Sequence, residues 1–178
     1  GVYHESFYGG YTEAQKRNLL QAIEARGFQV IYVFDQDVNY TAIEYINPSQ
    51  SQNEYLSLLT SWSAPFEDST KCEEFQKMLT QVAPLKQLVW SGCLPFKNQS
   101  VLKVWTDLQF GDELWMVNEW AGSPAPTYKS RPECEAHLQT NLQALTTSHF
   151  KLLGGGCSLK SSNQTNQDEY AAEAILLM

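Results

Sequence analysis

The segment from residue 58 to residue 108 reads LLTSWSAPFEDSTKCEEFQKMLTQVAPLKQLVWSGCLPFKNQSVLKVWTDL, and it contains every element that decides the fold. It opens with an apolar run around Trp62. Residues 72–82 follow, with apolar residues three and four apart, which predicts a helix that buries one face. Residues 85–90 and 101–108 are rich in β-branched, aromatic and aliphatic residues, which predicts two strands. The segment therefore predicts one strand–helix–strand–strand unit.

The same order of patterns occurs before and after this segment. The corresponding helix, second strand and third strand are 12–23, 28–34 and 41–46 in the first unit, and 134–145, 149–153 and 170–177 in the last. The leading strand of the last unit would contain Trp120, and that of the first would lie between Tyr3 and Gly10. Such self-similarity is typical of repeat architectures. We therefore expect a single domain, 1–178, made of three repeats at about 1–50, 51–109 and 110–178.

The N-terminal strand determines the fold class that we predict. The last unit ends without a closing strand, and the strand at 3–10 could supply one. Closure of the sheet would remove the exposed edges that invite aggregation. We therefore predict an α+β fold in which the pseudo-threefold repeat forms a closed or nearly closed antiparallel sheet or barrel, with nine strands and three helices packed outside.

Three N-x-[ST] sequons lie between predicted strands. They begin at Asn39, Asn98 and Asn163, each at the same place in its unit. A glycan cannot be buried, so each sequon is expected on an exposed turn. The sequons predict a secreted, extracellular glycoprotein, and the first residue, Gly1, fits a mature chain from which a signal peptide has been removed.

Four cysteines in a chain with secretory features predict two disulfides. Three pairings are possible, and the repeat favours Cys72 with Cys93 and Cys134 with Cys157. Each would join a helix start to the following strand and stabilise the fold by about 3 kcal/mol. No closely spaced cysteine or histidine ligands occur, so no metal site is expected.

Charge and hydropathy exclude several classes of partner. A net charge of -8 and a pI near 4.8 argue against nucleic acid, which requires a basic face. No apolar run reaches the 18 or more residues typical of a membrane span. The glycine run 154–156 lacks the sequence context of a phosphate-binding loop, and we predict a sharp bend or bulge there, before Cys157. We expect no cofactor, and the sequence does not indicate an oligomeric state.

Aromatic residues carry the main functional prediction, because many of them lie on predicted strands. Large side chains in a closed sheet either fill its interior or line a pocket. We therefore predict that a strand-lined aromatic pocket binds a small hydrophobic or aromatic molecule. The predicted ligand-binding residues are Trp62, Trp90, Trp105, Trp120, Tyr32 and Tyr45.

Two alternatives from other classes stay open. A cofactor-independent secreted enzyme, either a hydrolase or an oxygen-dependent oxidoreductase, would act on a small apolar substrate. Its candidate acid–base residues are His4, Glu119 and His149. The second alternative is an extracellular protein-interaction module, which an exposed apolar patch on an unglycosylated face would favour.

Overall fold

A computed structural model describes residues 2–8, 11–36, 40–49, 59–107, 114–117, 127–143, 149–161 and 168–178. This part of the chain contains ten strands and three helices and is mostly β. The elements are β1 Val2–Tyr8, α1 Glu13–Ala25, β2 Gln29–Gln36, β3 Tyr40–Ile46, β4 Leu59–Phe66, α2 Ser69–Val82, β5 Leu88–Phe96, β6 Gln99–Asp107, β7 Leu114–Val117, β8 Thr127–Tyr128, α3 Arg131–Gln143, β9 Lys151–Ser161 and β10 Asp168–Leu177.

The prediction of one closed sheet or barrel is wrong. The strands form three separate antiparallel sheets, ordered β1-β3-β2 in the first, β4-β6-β5 in the second, and β7 and β8 with β10 and β9 in the third. The N-terminal strand, which was expected to close a barrel, pairs with β3 from Val2 opposite Ile46 to Tyr8 opposite Tyr40. Because β3 takes both β1 and β2 as neighbours, the first sheet is complete with three strands.

The third sheet explains why there are ten strands instead of the expected nine. Its first strand is in two pieces, which pair with different parts of β10. Tyr128 in β8 pairs with Tyr170, and Val117 in β7 pairs with Ala174. The residues between the two pieces, 118–126, lie outside the described part of the chain.

Two of the helices contact a neighbouring sheet as well as their own. From α1, the Gln15 amide donates a hydrogen bond to the carbonyl of Cys93 in β5, at 3.2 Å. From α2, Phe75 and Met78 pack over the glycine run in β9. A Cβ atom on Gly156 would lie 2.8 Å from the Phe75 ring, and one on Gly154 would lie 2.7 Å from the Met78 sulfur. The glycines therefore let α2 approach the third sheet closely.

The glycine run continues a strand, whereas the sequence predicted a bend or bulge at this place. The irregularity falls one residue earlier, because Gly154 pairs with Ile175 and Leu152 pairs with Leu176, which leaves Leu153 as the extra residue. Similar bulges occur at Ile31 in β2 and at Val89 in β5.

Both predicted disulfides are present. Cys72 is joined to Cys93 and Cys134 to Cys157, with Cα–Cα separations of 6.1 and 6.3 Å. Each separation lies in the usual range for a disulfide. In each pair the first cysteine is in the first turns of a helix, and the second comes four residues after a bulge.

An ion pair occupies the corresponding place in the first sheet. Lys16 in α1 and Cys72 in α2 occupy the same position in their helices. The backbone amide of each donates a hydrogen bond to the carbonyl of its N-cap residue four residues earlier, Thr12 and Asp68 respectively. Asp35 comes four residues after the bulge at Ile31, as Cys93 does after its own bulge. The Lys16 ammonium is bonded to the Asp35 carboxylate. All three helices are therefore tied to a strand at matching positions, two by disulfides and one by charge.

Two main apolar cores hold the layers together. The core between α1, the first sheet and the second sheet contains Leu19, Ile43 and Trp105, all with no exposed surface. The core around α2 contains Leu79, Leu102 and Ile175, which are equally buried. Each such side chain contributes roughly 1.5–3 kcal/mol through burial. These cores fix the helices on the sheets and so determine where clefts remain.

Candidate functional site

The aromatic residues predicted to bind a ligand do not line one common pocket. Tyr45, Trp90 and Trp105 belong to the core beside α1, where Tyr45 and Trp105 have almost no exposed surface. Trp62 packs against the other core, with its ring 5.5 Å from that of Trp115. Tyr32 is 53% exposed on the outer face of the first sheet. Trp120 lies outside the described residues.

The candidate acid–base residues are also dispersed. His4 is on the outer face of the first sheet, with its Nδ1 atom 3.5 Å from the carboxylate of Glu44. The His4 side chain is largely exposed and that of Glu44 is partly exposed. His149 is exposed beside β9, and Glu119 lies outside the described residues. Neither of the two clefts described below has a histidine in its lining.

A cleft of about 250 Å³ lies between α2, α3 and β9, and we call it the interhelical cleft. Its apolar surface comes from two helices and the end of β4, and its floor is formed partly by strand backbone. Charged side chains stand around its rim. The apolar residues are Phe66, Phe75, Met78 and Leu138, the floor is Gly155, Gly156 and Cys157, and the charged residues are Lys71, Glu74, Arg131 and Glu135.

Helical spacing explains why these side chains point into one cleft. On α2, Lys71, Phe75 and Met78 are three and four residues apart, so they share a face. On α3, Arg131 and Leu138 are two turns apart and share a face in the same way. The sequence displayed both spacings, but only the packing of α2 and α3 on one sheet brings the two faces together.

Arg131 anchors the start of α3 beside this cleft. Its Nε atom lies 3.0 Å from both carboxylate oxygens of Glu67, which follows β4, and its guanidinium also contacts Glu135 and lies 5.5 Å from the Tyr170 ring. Burial lowers the pKa of Arg131, but the hydrogen bonds and negative charges of Glu67 and Glu135 together outweigh this effect, and the pKa is raised. The planar guanidinium therefore stays charged and holds α3 against the second sheet.

The charges at the rim are already paired. Lys71 lies 3.4 Å from Glu74, and Arg131 is shared between Glu67 and Glu135. Among the described lining residues, a ligand therefore meets apolar side chains beside charged groups that already have counter-charges. This arrangement suits a small uncharged molecule, because a charged one would have to break an existing pair.

A second cleft, of about 470 Å³, lies at the turn between β5 and β6, and we call it the hairpin cleft. The turn consists of Lys97 and Asn98, since Phe96 pairs with Gln99. Lys97 has a φ of 55°, in the left-handed region that tight hairpin turns require. The cleft is lined by Glu67, Phe96, Lys97, Asn98, Gln99, Leu159 and Asp168.

Within the described residues, no group of three or more histidine, cysteine or acidic side chains is arranged to hold a metal ion. In the same residues, no helix is both long enough and apolar enough to cross a membrane. Comparison with known proteins finds no matching protein family, curated protein or solved structure. Any assignment of function therefore rests on the geometry of the clefts and surfaces.

Proposed function

We propose that this protein is a secreted glycoprotein that binds a small, uncharged, apolar molecule in the interhelical cleft. The observation that carries the proposal is a cleft between α2, α3 and the glycine run of β9 that combines apolar side chains with charges that are already paired. Pockets with apolar walls and a few polar groups at the mouth are typical of small-molecule sites. At about 250 Å³, this cleft suits a ligand smaller than a typical drug molecule.

The site differs from the strand-lined pocket that the sequence predicted. That pocket required a closed sheet, and the three sheets are separate. Two of the residues proposed for it, Tyr45 and Trp105, are packed in the core. The ligand class stays as predicted, but the lining that we propose now comes from α2, α3 and β9.

Two features support the extracellular part of the proposal. The two disulfides are compatible with an oxidising compartment. Asn98 is exposed on the turn between β5 and β6, as a glycosylated asparagine must be. The other two sequons begin at Asn39 and Asn163, which lie outside the described residues.

Ligand release from the secreted protein tests this function. The protein is denatured, and small molecules that leave it are identified by mass spectrometry and then added back in calorimetric titrations. Leu138→Phe narrows the cleft and should weaken binding at least tenfold. Leu85→Phe is the matched control, because Leu85 is 79% exposed and away from the cleft. Equal binding by both variants, or no binding across a panel of small apolar molecules, would refute the proposal.

A specific observation favours a second candidate, the extracellular interaction module. The outer face of the first sheet exposes Val2, Ile31, Tyr32 and Phe34, and the last two rings stack at 6.5 Å. Exposed apolar patches of this kind mark interaction surfaces. Screening protein and glycan arrays with the wild type and a Tyr32→Ser/Phe34→Ser variant tests this candidate. A partner lost only by the variant would support it, and identical binding patterns would exclude this face.

A further inference from the structure

We infer that the hairpin cleft is a sugar-binding subsite for the chain's own glycan, and that it receives the first N-acetylglucosamine attached to Asn98. The inference rests on the proposal that the protein is glycosylated. It adds a position and a structural role for one glycan. The occupant follows from the lining, because the asparagine of the sequon is itself part of the cleft.

The turn directs the attachment point toward the cleft. Asn98 is the second of two turn residues, and the left-handed φ of Lys97 sets the direction of the chain just before it. Phe96 and Gln99, the pair that closes the turn, both contribute to the lining. A sugar linked to the Asn98 amide nitrogen therefore starts next to the ring of Phe96.

The lining offers the two kinds of contact that a pyranose ring makes. Phe96 and Leu159 present apolar surface to the C–H face of the sugar. Asp168 presents carboxylate oxygens, which accept hydrogen bonds from hydroxyl groups and from the acetamido N–H, whereas the carboxylate of Glu67 is already bonded to Arg131. The covalent link keeps the sugar at a high effective concentration beside the cleft, so weak contacts suffice to hold it there.

Lys97 competes with a sugar for the aromatic ring. Its ammonium lies 5.4 Å from the centre of the Phe96 ring. Lys97 is exposed, and such an exposed cation–π contact is worth only about 0.5–1 kcal/mol. The sugar therefore needs to displace or share only a weak contact.

A sugar in this cleft would join two sheets. Phe96 and Asn98 belong to the hairpin of the second sheet, whereas Leu159 and Asp168 belong to β9 and β10 of the third. A group that binds the folded chain and cannot bind the unfolded one stabilises the fold. We expect the Asn98 glycan to raise the melting temperature by about 2–4 °C, which is the shift expected when a domain of this size gains about 1 kcal/mol of stability.

The experiment uses protein secreted from eukaryotic cells, with occupancy of each sequon measured by peptide mapping. An endoglycosidase then trims every glycan to its first sugar, and the melting temperature is compared with that of Asn98→Gln. We expect the trimmed protein to keep the melting temperature of the intact glycoprotein, and Asn98→Gln to lose about 2–4 °C. Asn163→Gln removes a different predicted glycan and serves as the control for a general effect of glycosylation; a loss as large as that of Asn98→Gln would count against a specific role of the hairpin cleft.

A spectroscopic readout separates docking of the sugar from a general effect of glycosylation. In proton NMR of the trimmed protein, the Phe96 ring should shift the resonances of the Asn98 sugar upfield, and Phe96→Leu should abolish that shift. If Asn98 is occupied but neither the ring-current shift nor the stability difference appears, the inference is wrong and the proposed function still stands. If Asn98 is unoccupied in secreted protein, both the inference and the glycosylation proposal for this site fail.

Discussion

Replacing Lys16 and Asp35 by cysteine should create a third disulfide in this protein. Lys16 is at the helix position held by Cys72 in α2, and Asp35 is at the strand position held by Cys93 in β5. The residues are also in contact, because the Lys16 ammonium is bonded to the Asp35 carboxylate. If the positions match as the register indicates, the two sulfur atoms of the variant come within bonding distance.

The expected gain follows from the length of the closed loop. The two residues are 19 positions apart, close to the 21 and 23 of the existing disulfides. Closing such a loop lowers the entropy of the unfolded chain by an amount worth about 3 kcal/mol. The substitution loses the partly exposed ion pair, worth about 0.5–1 kcal/mol. It also loses the hydrogen bond from the Thr41 hydroxyl to Asp35, at 2.9 Å and worth about 1 kcal/mol. The net gain is about 1–1.5 kcal/mol, or roughly 2–6 °C in melting temperature for a domain of this size.

The assay compares Lys16→Cys/Asp35→Cys with Lys16→Ser/Asp35→Ser in chemical denaturation. Free thiols and disulfide-linked peptides are counted first by mass spectrometry. The cysteine variant should contain no free thiol and unfold at higher denaturant than the wild type, whereas the serine variant should unfold at lower denaturant. Two free thiols in the folded variant, or a new bond that involves the native cysteines, would refute the matching of these positions.

Three further predictions follow from the charges and the close contacts. Hydrogen bonds from Lys16 and Thr41 outweigh burial and lower the pKa of Asp35 from its ordinary 3.8. The Asp35 carboxylate therefore stabilises the wild-type fold fully above pH 3.8, and this stabilisation is lost as the pH falls through the lowered pKa. The cysteine variant lacks this carboxylate, so its stability advantage over the wild type in denaturation should grow below about pH 4. Gly155→Ala should destabilise the fold by roughly 1–3 kcal/mol in urea titrations, because its Cβ would lie 2.6 Å from the backbone oxygen of Glu173; an unchanged midpoint would contradict this contact. Arg131→Met and Glu67→Gln should each cost about 2–3 kcal/mol, and a double-mutant cycle should give a coupling above about 1 kcal/mol, whereas additive effects would show that the pair is not coupled.

Local patterns in the sequence predicted where the helices and strands lie, but they could not predict which strands pair with each other. Spacings of three and four residues identified all three helices, because a helix buries one face whatever lies opposite. The disulfides followed from the matching places of Cys72 and Cys134 in their helices. The prediction of a closed sheet was wrong because the pattern of a strand shows that β1 needs a hydrogen-bonding partner strand but does not show which strand that is. In the structure, β1 pairs along its whole length with β3.

The interhelical cleft could not be predicted, because it depends on contacts between α2 and the third sheet, which are far apart in the sequence. Phe75 read as a residue of the buried face of α2, and it is buried, but it lies over Gly156 of the next sheet. The glycine run read as a bend, although its function is to accept the neighbouring helix. Only the pairing of β9 with β10 shows that these glycines continue a strand.

The outer face of the first sheet carries an aromatic ring at a position where the other two sheets have glycine. Three residues after the bulge, β5 and β9 have Gly92 and Gly156, which lie under the Trp90 ring and the Phe75 ring. The matching position in β2 is Phe34, which is 39% exposed and stacks on Tyr32. Gly156 lies where α2 packs closely on β9, and Gly92 lies under a ring of its own strand, whereas Phe34 and Tyr32 are exposed. Large rings are therefore tolerated on this face for steric reasons, and their exposure leaves it available to a partner from outside the chain.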